Sequence, residues 1–328
     1  MIPFSELGCT STVQEAFSSA QGEQAQKGRA CVLGRVTSLD RGFPLVNTEG
    51  EEFRAELSAE IKKRDDSIVA VGDWVAVGRP EGHEKAIIVE ILPRKTEVSR
   101  MKRVGRERVA RRQVLAANVD RVLICQSLSG AGIDERLLVR QMAAVMGCGA
   151  QAVFVFTKGD LVQDEKLEQT LARVGRIAPD IPVEVVSALD EDAVERIRAR
   201  CLPGTTSMLL GESGVGKSSL ANALLGTEHF ETGAVRSSDD RGRHTTVARR
   251  MVQIPGAGLL IDAPGLRTLQ ILDLEASLRA SFPDVYDAAL GCRFRDCTHT
   301  DEPGCAVRGA IAAERLDAFH YLAASRVR

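Results

Sequence analysis

No stretch of this chain approaches the run of about 18 uncharged apolar residues that a membrane-spanning helix requires. The opening Met1-Ile2-Pro3-Phe4-Ser5-Glu6 carries neither a basic leader nor the apolar segment of a secretion signal, so the expected location is the cytoplasm, without membrane attachment. Glycine follows no three-residue repeat, which excludes a collagen-like chain. A disulfide scaffold is excluded as well. Five of the eight cysteines (Cys9, Cys31, Cys125, Cys148 and Cys201) stand singly along a chain far longer than the usual disulfide-stapled domain. Excess charge of one sign is also lacking, since 43 Lys and Arg face 45 Asp and Glu. With 44% apolar and 27% charged residues the composition is that of an ordinary globular protein, and 328 residues call for two or three domains.

The charge is nevertheless unevenly placed. Between positions 94 and 112 lie nine Lys or Arg and two Glu, a local charge of +7 that leaves −9 for the rest. A basic stripe on an acidic body points to a polyanionic partner; a solvated charged loop is the other reading.

Residues 1–28 are polar and are expected to be a flexible segment with at most a short helix near 13–17. A domain over 29–97 follows, with β-rich runs at 31–36, 43–47, 52–57, 68–77 and 85–92, punctuated by Gly, Pro and Asp; five strands in some sixty residues fit a small barrel. From 98 to 270 the rhythm is strand–helix alternation. Strands are expected at 121–125, 151–156, 182–186, 205–210, 246–254 and 258–261, and helices at 134–146, 164–176 and 190–201, giving a mainly parallel sheet covered on both faces. A helical, cysteine-bearing tail, 271–328, completes a multidomain α/β chain.

Gly211-Glu212-Ser213-Gly214-Val215-Gly216-Lys217-Ser218 fits the phosphate-loop pattern G-x-x-x-x-G-K-[ST], with Ser219 following. Its glycines let successive N–H groups turn inward, and the next helix presents its positive end to phosphate. Lys217 would neutralise the β- and γ-phosphates, and the Ser218 hydroxyl would ligate Mg²⁺. Thr157-Lys158-Gly159-Asp160 ends a strand and resembles the guanine-reading N-K-x-D element, with Thr in place of Asn. Asp160 can accept from both guanine N–H donors, which adenine does not offer. Ser187-Ala188 resembles the accompanying S-A-K loop without its Lys. Asp262-Ala263-Pro264-Gly265 matches D-x-P-G, where the Asp would hold the Mg²⁺ hydration shell and the Gly265 N–H would sense γ-phosphate. Arg241-Gly242-Arg243-His244-Thr245-Thr246 suits a switch segment, with Thr246, or alternatively Thr245, closing on Mg²⁺.

Cys292, Cys297, His299 and Cys305 supply three thiolates and an imidazole within fourteen residues, the ligand set of a closed structural Zn²⁺ site. Free thiols in a loop are the alternative.

The base-reading elements precede the phosphate loop, the reverse of the Ras-like order. This order, with a barrel in front and a Cys/His cluster behind, resembles the circularly permuted GTPases of the ribosome small-subunit-dependent GTPase A family. The resemblance covers about 30–310 and implies an OB-type barrel, a permuted GTPase domain and a zinc module. It also implies GTP hydrolysis to GDP with Mg²⁺, and a monomer whose barrel and zinc module contact the rRNA of the 30S subunit at a maturation checkpoint. An RNA-binding zinc protein with structural nucleotide, and a P-loop switch or metal chaperone acting on a protein, are the competing functions. The position after D-x-x-G is Leu266, which cannot orient water. His244 is the candidate for that role, with a solvated loop histidine as the alternative; His83, His229 and His320 are expected to be structural or surface residues.

Overall fold

A computed structural model of the chain describes residues 2–40, 43–63, 69–80, 85–103, 110–187, 190–227, 249–262 and 269–325. Over 1–28, where the sequence pattern offers only a short helix, the structure forms the sixteen-residue α1 (Ser11–Gln26), N-capped by Thr10. Its buried face consists of Ala20 and Gln24, so no apolar periodicity announces it. Ahead of it Leu7 is fully buried, and the Phe4 ring meets Trp74 edge-on at 5.6 Å.

Five strands follow: β1 (Val32–Asp40), β2 (Phe43–Asn47), β3 (Glu52–Leu57), β4 (Trp74–Gly78) and β5 (Ala86–Ile91), with the single turn α2 (Ala59–Lys62) after β3. They pair in the order β1-β2-β3-β5-β4 and close through β1–β4, with β3 and β5 parallel. This is the expected five-stranded OB-type barrel. Alternating side chains, among them Val36, Val46, Val75, Val77 and Ile88, fill its interior.

Apart from 104–109, which lie outside the described residues, the basic stripe is not a loop. It forms the hairpin β6 (Glu97–Arg103) and β7 (Ala110–Ala117). Part of its charge is spent internally: Arg94 makes a bidentate contact with the fully buried carboxylate of Asp73 at 2.7 and 2.8 Å and also bonds Glu97. Arg112 pairs with Glu97, and Lys95 with Asp120.

The central sheet contains β8 (Arg121–Ser127), β9 (Gln151–Thr157), β10 (Val183–Val186), β11 (Thr206–Leu210), β12 (Arg249–Gln253) and β13 (Leu259–Asp262). Its order is β10-β9-β8-β11-β13-β12, parallel throughout except β12, which runs antiparallel to β13. Strand β8 is a continuous apolar run because both its faces are covered. Val122 and Ile124 join one core cluster, while Leu123 and Cys125 join another with α5 (Glu191–Arg200) and α6 (Lys217–Leu225). The opposite face carries α3 (Glu135–Gly147) and α4 (Asp164–Ile177). The tail helices α7 (Leu274–Ser281), α8 (Pro283–Ala289), α9 (Val307–Ala310) and α10 (Ala313–Ala323) complete this side, with α7 against α3 and α10 against α3 and α4. Buried Arg315 ties them by bonding the Asp284 carboxylate and the Ile177 and Ser281 carbonyls.

Two features join barrel and sheet. Strand β1 pairs with β12 (Ser38 opposite Arg250, Leu39 opposite Arg249), so one sheet runs from the central α/β domain into the barrel. The guanidinium of Arg35, 2% exposed, donates to the Leu7, Gly72 and Asn118 carbonyls and to the Thr206 hydroxyl.

Candidate nucleotide site and metal centre

The phosphate loop springs from the carboxyl end of β11. At Gly211, φ is +152°, and a Cβ would lie 2.3 Å from the Cys125 carbonyl oxygen of β8. Only glycine lets the chain leave the sheet this close to its neighbour. Gly216 ends the loop at φ +95° and is the N-cap of α6, so the loop's N–H groups and the helix N-terminus share one concavity, the arrangement that binds phosphate. The Lys217 ammonium donates to the Gly211 (2.8 Å) and Glu212 carbonyls, holding its charge over the loop. Ser218 and Ser219 lie on the first turn of α6. Beneath, burial pushes the Cys125 thiol up to about 12, with the Lys217 charge opposing, which keeps the thiol neutral.

The base-reading candidate meets this loop. Strand β9 is separated from β11 by β8 alone, and the Thr157 hydroxyl at its end donates to the Val215 carbonyl at 2.5 Å. Lys158 then takes the left-handed conformation, φ +58°, and turns the chain into a one-turn helix over Gly159–Leu161 that carries an exposed Asp160. Gly159 packs so tightly on β10 that a Cβ would lie 2.7 Å from a Val185 methyl group. Register pairs Val186 with Thr157, which sets Ser187 beside Lys158. Asp262 ends β13 next to β11, so segments 211–219, 157–160, Ser187 and Asp262 share the carboxyl edge of one parallel sheet, where ligands of such sheets bind. Ala188, His244, Thr246 and Gly265 lie outside the described residues.

Sequence reading missed Gln126. Its side-chain amide both accepts from the Asp134 N–H (2.9 Å) and donates to the Asp134 carbonyl (3.2 Å), clasping the loop between β8 and α3 beside Thr157. The available signal was a glutamine directly after the apolar run 122–125.

The four soft ligands converge in the tail. Sγ of Cys292 and of Cys305 each lie 3.6 Å from His299 Nδ1 and 4.0 Å from each other, and all four ligand atoms, Cys297 Sγ included, fall within 4.8 Å. A tetrahedron with Zn–S of about 2.3 Å and Zn–N of about 2.0 Å has edges of about 3.5–3.8 Å. The cluster can therefore hold a zinc ion. Burial lowers the pKa of His299, favouring the neutral imidazole a metal needs, and the Ala306 N–H points at Cys292 Sγ (3.4 Å), the kind of outer hydrogen bond that supports a thiolate ligand. The His320 ring, expected to be a structural or surface residue, bonds the Thr298 carbonyl at 3.0 Å.

Comparison with known proteins places this geometry. The RsgA GTPase family pattern matches residues 91–272. A protein of Xanthomonas axonopodis named small ribosomal subunit biogenesis GTPase RsgA is 44% identical over 86% of this chain and 76% of its own. One of the same name from Streptomyces avermitilis is 39% identical over 89% and 78%. The crystal structure of YjeQ from Thermotoga maritima superposes with a TM-score of 0.67 at 24% identity, over 90% of this chain and all of the other. That of YloQ, a circularly permuted GTPase, gives 0.64 at 22% over 89% and 94%. With its candidate base-reading segment ahead of the glycine-rich loop yet bonded to it, and a barrel and a Cys/His cluster flanking both, the chain belongs to the RsgA GTPase family and is a GTP hydrolase.

Proposed function

We propose that this GTPase binds the small ribosomal subunit and hydrolyses GTP to GDP and phosphate as a late assembly checkpoint, stimulated by the subunit. The observation that supports the reading is the Thr157–Val215 hydrogen bond, which joins segment 157–160 to segment 211–219 at the carboxyl edge of the sheet, within a family whose curated relatives are named for small-subunit biogenesis. In this reading the barrel spans 29–97, the nucleotide domain 98–270 and the zinc-binding domain 271–328. The protein acts in the cytoplasm as a monomer.

Lys217 and the N–H groups of 211–219 bind the β- and γ-phosphates, and Asp160, with Thr157, Lys158, Gly159, Ser187 and Ala188 around it, selects guanine. Ser218 and Thr246 offer hydroxyl oxygens of the kind Mg²⁺ takes, and the bound ion supplies charge neutralisation at the transferring phosphoryl group. Asp262 would hold the hydration shell of that ion, the Gly265 N–H senses the γ-phosphate, and His244 orients the attacking water in place of the missing glutamine. One zinc ion on Cys292, Cys297, His299 and Cys305 is structural, because four protein ligands leave no open position.

The barrel, the β6–β7 hairpin and the zinc module supply the rRNA contacts. Support comes from the barrel topology and from the excess of Lys and Arg over Glu between positions 94 and 112. GTP turnover measured with and without purified 30S subunits over a salt series tests the reading. Turnover is expected to rise with subunits at low salt and to fall back as salt displaces the phosphate contacts. Turnover indifferent to subunits at every salt concentration refutes it.

A further inference from the structure

The metal ligands Cys297 and His299 lie on one tight turn, and a single carboxylate holds that turn in shape. Glu302 Oε1 accepts from the Thr298 N–H at 2.8 Å and from the Thr298 hydroxyl at 2.5 Å, while Oε2 accepts from the Thr300 N–H at 3.0 Å. The two residues it grips flank His299, whose φ of +64° is uncommon for any residue but glycine. From the other side the His320 ring reaches the Thr298 carbonyl. A carbonyl can only accept, so Nε2 of His320 carries the proton in this bond.

Charge does not account for Glu302. Among the described residues no Lys or Arg pairs with it. One Zn²⁺ with three thiolates and a neutral imidazole carries −1, and a neighbouring carboxylate does not favour such a centre by charge. What Glu302 provides is geometry: three acceptor bonds fix a strained turn so that Nδ1 of His299 already faces the sulfurs.

We propose that Glu302 is a positioning residue of the metal centre, preorganising the Cys297–His299 turn for zinc. This rests on the reading of the four ligands as a zinc site. Outer hydrogen bonds of this kind typically alter metal affinity by about 10–100-fold when removed.

The test uses the full chain loaded with zinc, and separately with Co²⁺. Transfer of zinc to the chromophoric chelator 4-(2-pyridylazo)resorcinol gives affinity and release rate, and the visible Co²⁺ bands report ligand geometry. Glu302→Ala is expected to weaken zinc binding by about tenfold or more and to change the Co²⁺ bands. Glu302→Gln keeps an acceptor for the Thr298 donors but none for the Thr300 N–H, and should fall between Ala and wild type. Asp301→Ala, which removes the neighbouring exposed carboxylate, should match wild type. A Glu302→Ala protein with wild-type zinc transfer and Co²⁺ bands overturns the proposal. If that variant loses its tail helices by circular dichroism, Glu302→Gln decides, and wild-type behaviour there overturns it equally. A wild-type chain that takes up no zinc at all overturns the metal reading underneath, an outcome distinct from either.

Discussion

Arg35 offers a sharp stability test, because one buried guanidinium serves four structural units at once. It bonds the N-terminal segment at Leu7, the barrel at Gly72, the base of the hairpin at Asn118 and the start of β11 at Thr206. Burial lowers its pKa to about 10, partly opposed by Asp120 and Asp73, yet it stays charged at neutral pH. Hydrogen bonds from a charged donor contribute about 1.5–3 kcal/mol each, while desolvating the ion costs several kcal/mol. Arg35→Ala removes both, strands the four acceptors and empties the space beside Trp74, for a net loss of about 3–5 kcal/mol. Arg35→Met refills the space but not the bonds, and should recover only the packing part. The assay is built in: Trp74 is the chain's single tryptophan, 2% exposed, with the Arg35 guanidinium 5.3 Å from its ring. Its emission should follow urea unfolding of this junction. At a slope of about 3 kcal/mol per molar urea the Ala midpoint falls by about 1–1.7 M. A Met variant as stable as wild type would refute the reasoning, since the hydrogen bonds would then contribute nothing net.

Three further outcomes follow from the site and the tail. Thr157→Val deletes the bond between the two nucleotide loops and should weaken GTP and GDP binding alike, by about 5–30-fold for about 1–2 kcal/mol; titration calorimetry showing unchanged affinities would dissociate the loops' contact from binding. At Asp284, burial alone would raise the pKa, but the hydrogen bonds and charge of Arg315, with backbone N–H groups, bring it below its usual 3.8. A depressed carboxylate stabilises the fold above its unfolded pKa, and that stability is lost as pH falls through the folded value. Asp284→Asn should therefore flatten the acid limb of tail unfolding below about pH 4, followed by circular dichroism. Because residues 269–273 lead from the D-x-P-G segment into α7, and the Gln270 side chain accepts from the Met101 N–H of the hairpin, hydrogen exchange over 269–325 should differ between GDP and a non-hydrolysable GTP analogue. Identical exchange would remove nucleotide-dependent transmission.

Much of this fold could be read in advance because its signals are local. Barrel strands β2 and β3 appear at the expected residues, since turn chemistry brackets each run, and β8 was visible as an apolar stretch. The phosphate loop was legible because φ and close approach force glycine at fixed spacing. What escaped was set by tertiary contact. Helix α1 buries alanine and glutamine and so lacks a pattern, and the 94–112 stripe reads as a loop because Lys and Arg dominate it, although Val98, Val114 and Ala116 of its paired strands are buried. Arg94 looked like a surface cation, and only the burial of Asp73, twenty-one residues earlier, makes it internal. The four candidate metal ligands could be listed from spacing, whereas the carboxylate that grips their turn could not, for an acidic residue in a polar loop has no sequence signature.

The continuity of β1 with β12 bears on how the protein can be taken apart. Excising the first ninety or so residues would strip Arg249 and Arg250 of β12 of their partners Leu39 and Ser38 and extend the open margin of the sheet. An unguarded margin of this sort invites pairing with another molecule. The nucleotide-binding half prepared alone is therefore expected to self-associate more than the whole chain, because the barrel strand caps the end of that margin.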